Sequence, residues 1–412
     1  MKKIIIKKET QKNFTTKTKT KFKSKNNAQK ILTRRFNLHK TFEYNKAKGP
    51  FEKVRNVNSE IQKILGDYGI ETDFFGYKTK LPIGVAAGPL YNPRYMEAAM
   101  NDGFSVVTWK TFRSVSRLAH RNDGNYLGHN IVYLPNQEIL TGDCSQKEIL
   151  GSLEHLQEPE KISITNSFGM PSSQPNIWMQ EIGPIEKIAK KKNKLVIASV
   201  VGTPRDTGDI YDLATDYAFT AKTAEMSGAK IIELNFSCPN VHGKEGQIYK
   251  DNQNAALIAK TVRNLLLPET KILLKVGFAK IENYQEFILQ TADYIDGIVA
   301  INTIPMKVVD ANQKQALPGG LTSGTCGHII IEKSVEAVRN LVQARKILAK
   351  QNKKYKNLKI IGCGGVTSVE NFLKHIQAGA EFVMCATAAL FHPELPLKIA
   401  KHLKKHKIQK KI

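Results

Sequence analysis

The sequence predicts an α/β chain closed into a single parallel (β/α)8 barrel, and three observations predict it. Eight short β-branched runs recur along the chain, and helix-period segments lie between most of them. The runs are predominantly apolar, and five of the eight end in a polar, glycine or small residue. Strands buried on both faces read this way, whereas half-exposed strands alternate.

In chain order the runs are 81–87, 105–110, 195–201, 231–236, 272–276, 297–302, 359–362 and 382–387. Helical periodicity fills 177–192, 209–227, 254–267, 284–294, 332–350 and 369–378. Eight strands with helical crossovers suit a closed barrel, the TIM barrel. A ninth run, 162–166, is followed by turn residues and reads as part of a long loop. The alternative, an open doubly wound sheet, would want a GxGxxG fingerprint after its first strand, and Gly84–Gly88 lacks that spacing. The chain has 412 residues, and its length divides into a basic N-terminal extension (1–50), a barrel (51–395) with an insertion around 113–160, and a Lys-rich tail (396–412).

The net charge of +25 is concentrated at the two ends. Residues 1–50 balance at +14 and residues 396–412 at +7, which leaves +4 for everything between. Three readings of the ends stay open. Low hydrophobicity with like charge favours solvated disorder. The acid-free, Ser/Thr/Asn-bearing stretch 10–42 allows an organellar presequence, and a nucleic acid- or membrane-touching arm is the third. No apolar stretch approaches the ~18–20 residues of a membrane span, and none behind the first lysines is long enough for a secretory signal. The five cysteines (Cys144, Cys238, Cys326, Cys363, Cys385) form no CxxC pair, which argues against a disulfide framework, a zinc site or an iron–sulfur cluster. A reduced, cytoplasmic compartment is the default, with organellar targeting as the alternative.

A barrel carries its chemistry at the C-terminal ends of its strands. Those ends are polar for such apolar strands: Lys110, Asn235 before Ser237-Cys238-Pro239-Asn240, Lys275, and Asn302-Thr303. Asn166 closes the ninth run and leads into Ser167-Phe168-Gly169-Met170-Pro171. A lone asparagine at a strand end more often bonds a loop, but several such junctions facing one mouth suggest a site. The last two runs end in Gly362-Cys363-Gly364-Gly365 and Cys385-Ala386-Thr387, where barrels often hold a phosphate on backbone N–H groups. A Gly-Gly pair by itself would be only a tight turn.

These motifs resemble those of the dihydroorotate dehydrogenases, in particular the soluble class with a cysteine base. Glu233-Leu234-Asn235-Phe236-Ser237-Cys238-Pro239-Asn240 is close to the family's ELNxSCPN segment. Asn166 to Pro171 resembles its NSxGxP loop, and Ile360-Ile361-Gly362-Cys363-Gly364-Gly365 its IIGxGG strand. Leu81 to Gly88 and Gly319 to Gly324 are similar less tightly, and the likeness runs in unbroken order over roughly 70–395.

The resemblance implies an FMN enzyme that oxidises dihydroorotate to orotate, with a proton leaving C5 and a hydride moving from C6 to flavin N5. It makes Cys238 the base; for a cysteine without this motif, a buried inert thiol would be the better reading. Cys144, Cys326, Cys363 and Cys385 keep that inert reading. Asn166, Asn235, Asn240 and Asn302, with Thr303, would bracket the pyrimidine, since a carboxamide offers both donor and acceptor. Lys110 would lie between flavin and substrate and help hold the carboxylate with the backbone of Phe168, Gly169 and Met170. Lys275 would face the flavin N1–C2=O edge. For either lysine the plainer reading is a side chain snorkelling at a strand end. Ala87, Gly88 and Thr111 complete the implied flavin contacts, and the phosphate would rest on Gly364, Gly365 and Thr387 with Gly324 nearby. The implied acceptor is fumarate, or NAD through a partner subunit, and the implied assembly is a homodimer.

The sequence departs from the family pattern in three places. Lys110 and Asn166 stand 56 residues apart, so an insertion hangs near the mouth. The stretch Gly324-Thr325-Cys326-Gly327-His328 reads as an extended loop, and Ala386 stands where the family commonly has glycine. Two flavin barrels rival the first reading. A tRNA dihydrouridine synthase would suit the basic ends, and RNA-dependent NADPH oxidation would reveal it. Dihydropyrimidine dehydrogenase shares the chemistry but wants a ferredoxin motif this chain lacks. A non-enzymatic barrel binding RNA or membrane through its tails ranks below both, and a colourless protein unable to take up FMN would mark it.

Overall fold

The computed structural model describes residues 34–135, 137–144, 147–154, 158–205, 208–237 and 246–412. Eight parallel strands close into a barrel in chain order: Ile83–Val85, Val106–Phe112, Leu195–Val200, Ile231–Asn235, Lys271–Val276, Gly297–Ala300, Lys359–Cys363 and Phe382–Cys385. Each lies on one of the eight apolar runs. Side chains alternate across a strand, so Ile197, Ile231, Leu273, Val299, Ile361 and Met384 fill the barrel's interior. Their neighbours in sequence face outward and pack in a larger core under the helices. Those helices include Pro175–Lys191, Ile210–Met226, Asn252–Leu265, Ile281–Thr291, Ile331–Gln351 and Val369–Ala378, within a few residues of the helical periodicities.

One strand is irregular where it matters. Trp109 pairs with Ala198 and Phe112 with Val200, so Lys110 and Thr111 together oppose the single residue Ser199. This β-bulge turns both Lys110 and Thr111 toward the barrel mouth, a common use of bulges beside sites. Trp109 and Phe112 stay outside, where Phe112 stacks on Trp178 of the adjoining helix at 4.4 Å.

The chain differs from the sequence reading in its connections. The run at 162–166, read as loop, contains the strand Ser163–Asn166. The glycine-rich stretch from Gly324, also read as loop, lies in the strand Thr322–Gly327. Both belong to a five-stranded sheet ordered Ile131–Tyr133, Ser163–Asn166, Thr322–Gly327, Ile304–Val309, Glu148–Leu150. The 113–160 segment supplies the two edge strands. Thr322-Ser323-Gly324-Thr325-Cys326-Gly327 has no apolar alternation, and its strand state comes from antiparallel pairing on both sides.

Both ends of the described chain are structured. Residues 396–412, the Lys-rich tail whose charge left three readings open, fold almost entirely into the helix Leu395–Lys405 and the strand Gln409–Lys411. Leu395, Ile399, Ala400 and Leu403 recur at helical spacing and are buried, which keeps the lysines on the opposite face. The terminal strand pairs in parallel with Gly69–Phe74. That strand and Tyr77–Thr79 form a hairpin whose Phe74 plugs the N-terminal end of the barrel, 4.8 Å from the Phe382 ring. From the 1–50 extension, residues 34–50 are docked: Arg35 forms a buried ion pair with Asp102, and Phe42–Lys48 is a helix. Residues 1–33, the larger part of the 1–50 extension and most of the 10–42 stretch that allows a presequence, lie outside the described residues. Among the described residues no helix is long and apolar enough to cross a membrane.

Candidate active site

A cleft of about 1060 Å³, its open mouth included, lies at the C-terminal ends of the strands. Its walls contain Ala87, Gly88, Lys110, Thr111, Asn166, Phe168, Gly169, Met170, Asn235, Lys275, Asn302, Thr303, Gly364, Gly365 and Thr387. All were singled out from the sequence. Gly324 is not on the wall; it is the cross-strand partner of Asn166, and its carbonyl oxygen accepts from Asn166 Nδ2 at 3.2 Å. Cys238 and Asn240 lie outside the described residues. Ser237, immediately before Cys238, is buried, and its N–H donates to Asn235 Oδ1 at 3.3 Å.

A directed chain of hydrogen bonds fixes the central carboxamide. Asn235 Nδ2 donates to Thr111 Oγ1 at 3.0 Å, and the Thr111 and Ser199 hydroxyls meet at 2.9 Å. Ser199 Oγ in turn donates to Glu233 Oε1 at 2.8 Å. A carboxylate can only accept, so the protons along this chain have one direction and the Asn235 oxygen faces Ser237 and Asn302. Asn302 Nδ2 donates to Ser237 Oγ at 3.1 Å.

Lys110 and Lys275 carry the charge of the cleft; no acidic side chain lines it among the described residues. Lys275 is buried and donates to Cys363 Sγ at 3.4 Å. Burial opposes its charge, yet the adjacent Cys363 and Glu233 outweigh burial and hold its pKa above the ordinary lysine value. Burial pushes Glu233 up, while Lys275 and the Ser199 hydroxyl pull against that shift.

The glycine loop is held from behind. Gly364 and Gly365 have φ of +112° and +73°, and a Cβ on Gly365 would stand 2.4 Å from the Ile331 backbone. His375 Nε2 and Ser334 Oγ reach Gly364 O at 3.0 and 2.7 Å, and Asn371 Nδ2 reaches Gly365 O at 2.8 Å. With the carbonyls so engaged, no described residue accepts from the N–H groups of Gly364, Gly365 or Val366.

Sequence reasoning missed several residues. Cys326, Cys363 and Cys385, read as inert, all line the cleft. Burial raises the pKa of each, to about 11 for Cys326, with Lys275 pulling against that shift at Cys363. Tyr91 also lines it, and its buried hydroxyl has no hydrogen-bond partner among the described residues. Ser199 and Glu233 were hidden inside apolar runs. Interior parity could have found them, since Glu233 is two residues before Asn235, and Cys363 two after Ile361.

The family model for dihydroorotate dehydrogenase matches residues 156–406. A dihydroorotate dehydrogenase of Dictyostelium discoideum is 32% identical, over 88% of this chain and 95% of its own length. Catalytic subunits named dihydroorotate dehydrogenase B (NAD(+)) are similar over shorter spans. The one from Thermodesulfovibrio yellowstonii is 28% identical over 58% of this chain and 73% of its own length. That of Listeria monocytogenes is 31% identical over 51% and 62%. With a family model over more than half its length and a relative matched nearly end to end, this chain belongs to the dihydroorotate dehydrogenase family.

Proposed function

We propose that the chain is an FMN-dependent dihydroorotate dehydrogenase, oxidising dihydroorotate to orotate in pyrimidine biosynthesis. The observation that carries this reading is a cleft with two lysines, three positioned asparagines and no acidic wall residue among the described residues. Such a cleft favours anionic ligands and offers paired donors and acceptors to a pyrimidine.

The residues present fit FMN. The three N–H groups at Gly364, Gly365 and Val366, without an acceptor among the described residues, form a cradle for a phosphate. Lys275 would stand where negative charge gathers on the reduced ring, and the buried Thr303 Oγ1, without a partner among the described residues, has capacity for a ligand. When bound, FMN supplies the hydride acceptor.

The protein's own part is to bind, orient and move a proton. Cys238 Sγ takes the C5 proton; an ordinary thiol near pKa 8.5 is a few per cent thiolate at neutral pH, enough for a base held in place. Asn166, Asn235 and Asn302, with Asn240, hold the ring's carbonyl and N–H edges, and their amides stabilise the charge developing at the C4 carbonyl without competing for the proton. Lys110 and the backbone of Phe168 to Met170 receive the carboxylate.

Fumarate, which needs this chain alone, is the acceptor we assign first. NAD would require a partner subunit, as the names of the bacterial relatives imply for those proteins. Turnover with fumarate by the isolated chain, expected as a cytoplasmic homodimer, separates the two.

The test is anaerobic flavin bleaching by stopped flow. Dihydroorotate should bleach the wild type, and dihydrouracil and NADPH should bleach it at least ~10²-fold more slowly. Cys238→Ala should stay yellow and bleach with dihydroorotate slower by ~10²-fold or more. Bleaching of that variant at the wild-type rate would falsify the base, and preference for NADPH would overturn the substrate reading.

A further inference from the structure

Lys110 sits in an aromatic enclosure that the barrel does not build alone. Its Nζ lies 4.7 Å from the Phe168 ring centroid, 5.9 Å from Phe42 and 6.0 Å from Tyr91. Phe168 and Tyr91 line the cleft, whereas Phe42 comes from the helix Phe42–Lys48, ahead of the barrel. The rings brace one another: Phe42 meets Tyr91 edge-on at 5.1 Å and Phe168 at 5.6 Å.

The helix that carries Phe42 is fastened on two sides. On the barrel side Tyr95 Oη donates to Asn45 O at 2.9 Å, Asn92 Nδ2 to Lys46 O at 2.8 Å, and Arg94 Nη2 to Ala47 O at 2.7 Å. On the other side Lys46 Nζ bonds Ser173 Oγ, in the connection that follows Phe168, Gly169 and Met170. The helix is therefore a strap joining the first barrel helix, Pro93–Asn101, to the loop that edges the cleft.

We propose that this N-terminal strap, through Phe42, is a positioning element for Lys110 and sets the affinity of the site for the carboxylate of its pyrimidine ligand. The inference rests on the reading of Lys110 as that carboxylate's partner. An aromatic face attracts an ammonium through its quadrupole without cancelling its charge, as a carboxylate neighbour would. The long side chain is already ordered by the rings and loses less freedom when the anion arrives. Phe42 is not on the cleft wall, so it acts only through Lys110 and its neighbouring rings.

The experiment uses the FMN-loaded full chain. Orotate is titrated against the flavin absorbance, and KM and kcat for dihydroorotate are measured alongside. Phe42→Leu keeps an apolar side chain but removes the ring; pentafluorophenylalanine at position 42 keeps the shape and reverses the ring's electrostatics. Both should weaken orotate binding and raise KM about three- to tenfold, with kcat within about twofold and flavin content unchanged. Phe42→Tyr should restore wild-type values. Lys110→Met, run in parallel, should weaken orotate by more than either. If Lys110→Met leaves orotate binding intact, the assignment of Lys110 falls and the strap's role with it. If Lys110→Met weakens binding but the fluorinated ring does not, only the strap's role is overturned. A fall in kcat and flavin content with unchanged KM would mark Phe42 as packing alone and also overturn it.

Discussion

Lys275 shows at the scale of one residue how a charge is kept inside a hydrophobic barrel. It is 3% exposed, and its charge survives because Cys363 and Glu233 stand beside it. Lys275 pulls against the burial that raises Glu233, so removing the cation leaves a buried carboxylate without that attraction. Lys275→Met should therefore melt early through stranded Glu233, and Lys275→Met with Glu233→Gln should regain much of that stability. Flavin reduction by dihydroorotate should stay impaired in both, by ~10² or more, because the cation proposed to face the flavin ring is absent in each. Thermal melts and bleaching rates of the two variants check this. Recovery of the rate along with the melting temperature would show that Lys275 has a structural duty only. The sequence made Lys275 visible as a cation ending an apolar strand. Glu233 and Ser199 escaped notice because a buried polar pair within an apolar run has no signature until the strand register places the two side by side.

At the scale of elements, the glycine loop is an assembly of a turn and the side chains behind it. His375 is fully buried, and the ring nitrogen facing Gly364 O must carry the proton to donate. Burial lowers its pKa to about 4. An unfolded chain would take up a proton near the ordinary value of about 6.5, so between these values the unfolded state binds more protons than the folded one. Stability thus rises with pH across that window and is lost as pH falls from about 6.5 toward 4, by up to ~3 kcal/mol for a shift of this size. His375→Gln keeps a donor for Gly364 O but does not titrate. Its flavin release and denaturant midpoint should change less steeply over the window than those of the wild type, and equal slopes would exclude His375 as the titrating group. Elements also divide into legible and illegible ones. The eight barrel strands were legible because the barrel interior buries one face and the helices the other, which forces largely apolar runs such as 272–276. The Thr322–Gly327 strand was not, because its conformation is imposed by the neighbours Ser163–Asn166 and Ile304–Val309. The helix Leu395–Lys405 was masked differently: its apolar residues at i, i+4, i+5 and i+8 lie among lysines that dominate any count of charge.

The whole molecule has two poles with separate duties. The cleft occupies the C-terminal pole, and the opposite end is closed by the hairpin that carries Phe74, itself flanked by the terminal strand Gln409–Lys411. The two charged ends of the sequence thus contribute to both poles, since residues 34–48 strap the mouth and residues 395–411 buttress the base. Charge counting could not reveal this, because a basic surface is compatible with a packed apolar face beneath it. The separation of duties predicts that damage at the base leaves the chemistry untouched. Phe74 is fully buried between Phe75 and Phe382, with ring centroids 4.6 and 4.8 Å away. Phe74→Ala opens a cavity in a closed interior that cannot collapse onto it, at a cost of about 3–5 kcal/mol. The urea midpoint should fall accordingly. Flavin content and kcat should stay within about twofold at temperatures where the variant is folded, because no wall residue of the cleft belongs to the hairpin. A variant that folds but loses its flavin would show instead that the barrel transmits strain from base to mouth, and the two ends would have to be treated as one cooperative unit.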